Sequence, residues 1–550
     1  MVVDSLSGLP PSIDVAPGAL PGPARRQSGP AAKNRTPGPV PCPREGIVTA
    51  ASLRLESTAA CAGLASRAQP VPATEVEMNT LLRHTSFRPA GPARRAGRLA
   101  FGASLLLMLA GEVAAQALAG IGCPVFHCNP EATTVMEQPI VRHVSVLTKN
   151  PRLGTLTRQG CSGDGSRLAC LFASDATTGT GQGTLKVLDA TTLQPIWGSL
   201  GAPNSMNLDP ASSSGGQVPV VFADGQIAAG DATTLVRYDA AGGVTGALSL
   251  GGKGNNLGLT PVSDNFGIVS QTDGVLTLVN MATWQSVATL MLVDPVTGGR
   301  LALVSPSTAT QKVLYAVAGN AKTNAGYLFA VVFDQLTKRL RVRSTFPFVG
   351  KSGASPVVVL PAVSGLANDL VLLHAPGLPG DVGTHDRLLG LSDTGTGFST
   401  QWSIDLDRAL QVTPTVDETS GDLYFIFGSD FHVYRHKLAT GAGVAVYDIR
   451  LMGGFPVNFA LNGHLAAMQA GGQFTLLLAG AVSATPNRNG QYAIAFDPAL
   501  SAPSIVWSAK VGGRADAYTG AWNVAPAADG AAYCPVVVGS SSGISRVCDF

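Results

Sequence analysis

A short element recurs along the chain and limits its fold more than any other feature. Alternating apolar residues run into an Asp, then a small turn, then an extended stretch that often carries Trp. The anchors are Asp189, Asp239, Asn280, Asp334, Asp393, Leu438, Asp497 and Asp549, with Trp197, Trp402 and Trp507 following three of them. Their spacings are 50, 41, 54, 59, 45, 59 and 52 residues. Period-2 alternation makes a half-buried strand. An Asp carboxylate closes a tight turn by accepting nearby backbone N–H groups. A Trp on the next strand packs between neighbouring sheets. Eight units of this length fit eight four-stranded blades, so the expected fold is an all-β, eight-bladed β-propeller. Seven blades is the alternative, with one unit a bulged insertion. Charged residues make up only 13%, beside 65 Gly and 37 Pro, which suits short strands and Gly-rich turns and argues against coiled coil or charged disorder.

The last unit stops just after Asp549, so it lacks an outer strand. The run 140–147, which precedes the first unit, reads as a strand without a partner. Pairing it with the last blade would close the ring and hide an open sheet edge. The propeller is therefore expected over 138–550, with 118–137 as an N-terminal extension.

The first hundred residues read differently. Residues 1–93 are rich in Pro, Ala, Gly, Ser and Arg without apolar periodicity, and such a stretch cannot bury enough apolar surface to fold. Arg94, Arg95 and Arg98 then precede an 11-residue apolar run, 99–109, too short to span a bilayer. Ala115-Gln116-Ala117 follows as an A-x-A site. Basic region, short apolar run and small-residue site describe a signal peptide over 94–117, cleaved near Ala117, for a periplasmic or secreted protein. Met78 is the candidate start, with 1–77 an over-extended reading frame. No other segment is long and apolar enough to cross a membrane. Residues 1–117 hold 12 Lys+Arg against 7 Asp+Glu, leaving 25 against 28 in the rest. That near-neutral remainder implies no nucleic-acid partner. The expected partner is a small molecule, a polymer or another protein, and the expected state is a monomer.

Beyond the leader, six cysteines lie only at the two ends: Cys123, Cys128, Cys161, Cys170, Cys534 and Cys548. An even number in an exported chain reads as disulfides, with 15 connectivities open. Local pairing, 123–128, 161–170 and 534–548, is the parsimonious one. Cys123, His127 and Cys128 could also read as metal ligands, but their spacing matches no zinc pattern and the sequence holds no C-x-x-C-H haem site.

The segment Gly183-Thr-Leu-Lys-Val-Leu-Asp-Ala-Thr-Thr-Leu-Gln-Pro-Ile-Trp197 resembles the repeat of the PQQ-like (quinoprotein alcohol dehydrogenase-like) β-propellers, G-x-L-x-A-L-D-x-x-T-G-x-x-x-W. The resemblance covers about 138–550 and implies an eight-bladed ring. It does not imply one function, because the family holds cofactor enzymes and non-catalytic scaffolds. Its enzymes stack PQQ between a Trp and a disulfide of adjacent cysteines, bind calcium through oxygen ligands, and use an Asp base. Here no two cysteines are adjacent and the Trp repeats are degenerate.

Other chemistry is thin. Gly539-Ser-Ser-Ser-Gly543 matches G-x-S-x-G, but it lies between two expected strands, not at a strand-to-helix elbow. Gly350-Lys351-Ser352 lacks the upstream Gly of a phosphate-binding loop. His385-Asp386-Arg387 is a compact polar triplet that begins a strand. More suggestive are the segments that lead from blade to blade, where Lys253 and Asn255, Lys351, Arg408, and Arg514 with Asp516 recur at similar places. Four cations on one face would hold an anionic ligand. The reading is an exported binding or scaffold module with no catalytic or metal residues assigned and no cofactor expected. The alternatives are a PQQ- and calcium-dependent dehydrogenase or another propeller enzyme, such as a polysaccharide-active one.

Overall fold

The computed structural model describes residues 117–548 with short interruptions, the longest at 175–183, 198–218, 483–490 and 512–520. These belong to the compact unit Pro92–Phe550; the other unit, Met1–Gly91, lies outside the described residues. So do Met78, the run 99–109 and the two residues before Ala117.

Eight antiparallel sheets follow one another along the chain. From first to last strand they are blade 1 (Thr155–Gly163 to Pro195–Trp197), blade 2 (Val220–Val221 to Val244–Ser249), blade 3 (Asn256–Ser263 to Gln285–Met291) and blade 4 (Ala302–Leu303 to Arg339–Val349). Then come blade 5 (Val357–Val359 to Phe398–Asp405), blade 6 (Thr415–Asp417 to Gly443–Asp448), blade 7 (Phe459–Leu461 to Ser504–Lys510) and blade 8 (Ala521–Pro526 to Gly543–Cys548). Blade 8 takes its fourth strand from the front of the propeller: Val146–Asn150 pairs antiparallel with Gly543–Cys548. The closing strand starts later than the expected 140–147. Residues 140–145 instead run beside blade 8, with Ile140 bridging Tyr533 and Ser145 N–H donating to Cys548 O.

Ring closure also shows in the packing. Each pair of successive blades traps one buried apolar cluster, from blades 1 and 2 (Leu171, Leu185, Ile227, Tyr238) round to blades 7 and 8 (Leu477, Ala495, Trp522, Val537). The eighth cluster joins blade 8 to blade 1 through Val536, Ile544, Leu168 and Leu188. A sheet whose two faces are both covered this way has little solvated surface. That explains why so few of the chain's residues need charge.

The recurring Asp works as its chemistry requires. Asp189 Oδ1 accepts N–H from Thr191 and Thr192, Asp239 Oδ1 from Ala241 and Gly243, and Asp334 Oδ1 from Leu336 and Thr337. Asn280 does the same with Ala282 and Thr283, which is why an amide can stand in for the carboxylate. The indoles wedge between blades. Trp402 of blade 5 donates to Leu438 O of blade 6 at 2.8 Å, and Trp507 of blade 7 donates to Val141 O at the seam at 3.0 Å. Trp284 reaches backward, from blade 3 to Leu235 O of blade 2 at 3.3 Å. Space for the rings comes from glycines: a Cβ on Gly390 would lie 2.2 Å from Trp402, and one on Gly242 2.7 Å from Trp197.

Candidate functional site

In a ring of blades the inner strands surround a central channel, so whatever lines or fills it decides what can bind there. Here the chain's own front end fills it. Ala119 N–H donates to Val221 O of blade 2, and Gly163 N–H of blade 1 donates to Cys123 O. Ala309 of blade 4 donates to Pro130 O, Val358 of blade 5 to Glu131 O, and Ala467 of blade 7 to Thr134 O. Val135–Met136 then adds to blade 7 as a parallel strand beside Ala467 and Met468. From blade 8, Asn523 accepts the Cys123 N–H at 3.2 Å. From blade 6, the Thr415 hydroxyl bonds that of Thr134. Residues 118–137, expected as an extension, are therefore a plug held by seven of the eight blades.

The plug is tightly wound. His127, Cys128, Ala132 and Thr134 all have positive φ, a conformation that costs a side chain energy and survives only when the surroundings enforce it. Its N–H groups are satisfied locally: Cys128 to Val125 O, Ala132 to Asn129 O, Thr133 to Asn129 Oδ1 and Thr134 to His127 O. Cys123 and Cys128 stand at disulfide-bonding distance, with Cα atoms 3.9 Å apart, across this turn. Cys161 with Cys170 in blade 1 and Cys534 with Cys548 in blade 8 do the same, at 4.2 and 4.8 Å. All three pairs border the seam and the plug. The His127 imidazole is buried, 3.0 Å from Thr413 Oγ1 and edge-on to His464, with ring centroids 5.5 Å apart. Burial, and then the nearby His464, push its pKa well below the usual histidine value.

At one mouth of the channel the plug leaves a cavity of about 220 Å³ lined by Ala117, Leu118, Pro130, Glu131, the strand end Pro261–Ser263 of blade 3 and Thr310–Gln311 of blade 4. Burial raises the Glu131 carboxyl above its ordinary value, and the neighbouring Glu418 and Asp369 add to this. Glu418 is raised in turn by burial and by Glu137 and Asp417.

The opposite face carries the crossovers from the outer strand of one blade to the inner strand of the next. Lys253 lies in the blade 2–3 crossover, Lys351 in 4–5 and Arg408 in 5–6. They are spread around the ring rather than gathered at one junction. All three are exposed, and none is ion-paired among the described residues. Lys253 gives its backbone N–H to Asp273 Oδ2, and the Asn255 N–H goes to Thr272 Oγ1. The Arg408 guanidinium lies 5.5 Å from the centre of the Phe427 ring. Arg514 and Asp516 lie outside the described residues.

Several acids of this face are engaged within it. Arg387 bridges Asp381 at 2.5 Å and Asp405 at 3.0 Å. Asp430 accepts from His432, Tyr434 and the Phe431 N–H. Asp386 lies 3.0 Å from the buried His374, whose pKa burial lowers against the pull of that carboxylate. The triplet 385–387 thus fastens a loop through two of its members. Gly539 pairs with Gly543 across a hairpin, as expected, and the serines between them lie outside the described residues.

The PQQ and calcium site implied by the resemblance does not fit the described residues. Cys123 bonds Cys128 five positions away, and Trp522, the tryptophan of an inner strand, is buried with its N–H given to His464 O at 3.0 Å. Among the described residues no group of three His, Cys, Asp or Glu side chains is placed to hold a metal. No described helix is long and apolar enough to cross a membrane.

No family model and no curated protein matches the chain. Solved structures with similar folds include the quinohemoprotein alcohol dehydrogenase from Comamonas testosteroni, 10% identical over 78% of this chain and 80% of that one, with a TM-score of 0.49. A europium-containing methanol dehydrogenase is 11% identical over 79% and 92%, with a TM-score of 0.45. The C-terminal WD40 domain of Sif2 is 13% identical over 74% and 99%, with a TM-score of 0.44. These likenesses carry no further than the arrangement of strands described above.

Proposed function

We propose that the protein is an exported β-propeller that works as a binding or scaffold module and holds an anionic ligand on its crossover face. Lys253, Asn255, Lys351 and Arg408, with Arg514 and Asp516 in the blade 7–8 crossover, are the residues assigned to that ligand. One observation supports this reading above the others. Lys253, Lys351 and Arg408 are exposed and not ion-paired among the described residues, while Asp381, Asp405 and Asp430 of the same face are bonded to Arg387, His432 and Tyr434. Unpaired cations spread around one face suit an extended anion, such as an acidic polymer, better than a small one. The filled channel leaves the outer faces for recognition.

The test is calorimetric titration with dextran sulfate at low and moderate salt. Wild-type protein is expected to bind with an affinity that falls as salt rises. Replacing Lys253, Lys351, Arg408 and Arg514 together by Ala should weaken binding by about thirtyfold, at roughly half a kcal/mol per exposed charge. Equal affinity in the quadruple variant would remove this face from the account.

A further inference from the structure

The cavity at the mouth of the channel combines a chain entrance, a burdened carboxyl and no cation, and the three belong together. Ala117 O accepts the Ala223 N–H, and the Ala119 N–H donates to Val221 O. Residues 117 and 119 therefore turn their polar backbone groups toward blade 2. In an antiparallel pairing the residue between them turns its own N–H the other way. Leu118 pairs with Phe222 without such bonds, so its nitrogen faces away from blade 2. Leu118 and Glu131 line the same cavity. Glu131 has no ion pair among the described residues, and its charged neighbours Glu418 and Asp369 are acids. Lys312, on the next hairpin, acts on Asp369. The cavity thus has an acid that is costly to ionise and a backbone nitrogen that would become a cation if the chain began there.

We propose that the chain is matured between Ala117 and Leu118, and that the α-ammonium so formed docks in the mouth cavity against the Glu131 carboxylate and adds an ion pair that tethers the start of the plug. The inference rests on the export reading above and goes beyond it. Hydrolysis by a leader peptidase adds one water across the Ala117–Leu118 amide. The C–N bond breaks, Ala117 leaves as a carboxylate, and Leu118 keeps the nitrogen as an ammonium. The exposed Ala223 N–H, which loses Ala117 O, turns to water. A new cation beside a half-buried carboxylate offsets the desolvation that its own backbone N–H only partly compensates. Cleavage thus adds one more tie to a plug that the blades already hold through backbone bonds.

The chain from Met78 on, which puts the leader near its N-terminus, is produced in an exporting bacterial host, and the purified protein is sequenced from its N-terminus. Leu118 as first residue is expected; any other first residue overturns maturation at this bond, and retention of the leader overturns the export reading itself. The Leu118 amine is then acetylated at pH 7, and its peptide is followed by mass spectrometry. The native protein should react about tenfold more slowly than the same protein in urea, and Glu131→Gln should restore most of the rate. If wild-type amine reacts equally fast folded and in urea, docking is overturned while the export reading stands. That comparison needs no variant, so it decides the matter even if Glu131→Gln fails to fold. A folded Glu131→Gln protein whose amine stays as slow as wild type overturns the role of Glu131.

Discussion

Replacing Trp402 by Ala is expected to destabilise the propeller by about 3–5 kcal/mol, read from the urea midpoint. The indole fills the space between blades 5 and 6, packs on Gly390 and Gly441, and gives its N–H to Leu438 O. Truncation removes the ring contacts and leaves a buried carbonyl without its donor. The partner glycines sharpen the test. A Cβ on Gly390 would lie 2.2 Å from the ring, so Gly390→Ala should be severe in the wild type and mild once Trp402 is gone. A coupling of about 1–3 kcal/mol in that double-mutant cycle is expected. A Trp402→Ala cost below about 1 kcal/mol would mean that the indole is not the wedge between these blades.

The second large effect is on pH. His127 is held neutral by burial, so its folded-state pKa lies well below the unfolded value. A group shifted in that direction contributes fully above the unfolded value, near 6.5, and its contribution is lost as pH falls from there toward the folded value. The loss approaches about 1.4 kcal/mol for each pH unit. His374, also lowered by burial, adds with the same sign. Glu131, Glu418 and Asp369, whose folded values are raised, act in the opposite direction. Unfolding is therefore measured between pH 7 and 5 in the wild type and in a His127 variant, whose difference isolates this histidine. His127→Asn keeps a residue that tolerates the positive φ of this position and should flatten the slope. An unchanged slope in that variant would show that His127 takes up its proton in the folded chain.

The ring was legible in the sequence because its signals are local. Asp189 and the two N–H groups it binds lie within three residues, as do Asn280 and Asp334 with theirs, and Asp239 with its own within four. Even the unit at Leu438, which has no Asp, keeps its turn through Gly441 N–H to Lys437 O. The closing strand was legible as an edge that needed covering, though its start was not, because 140–145 pairs irregularly beside Tyr533. The plug was not legible. Its partners are far away in sequence: Cys123 meets Asn523, four hundred residues on, and Thr134 meets Thr415. Its contacts are mostly backbone to backbone, which composition does not mark. Of its left-handed residues only Gly122 is a glycine, the residue that usually announces such turns; the others are His, Cys, Ala and Thr. The close pair Cys123 and Cys128 around a Pro was the one available sign of a tight internal loop. Of the crossover cations, sequence placed each on its connection, but their separation around the ring follows only from the order of the blades.

The central claim is a closed ring of eight blades whose channel is filled by the front of its own chain, and native-state hydrogen exchange on the peptide 118–136 tests it most directly. The amides of Ala119, Gly122, Cys123, Cys128, Ala132, Thr133 and Thr134 are all donated to acceptors inside the protein. They should exchange over hours, as slowly as the third strands of the blades. Exchange of that peptide within seconds, while the blades stay protected, would contradict the account.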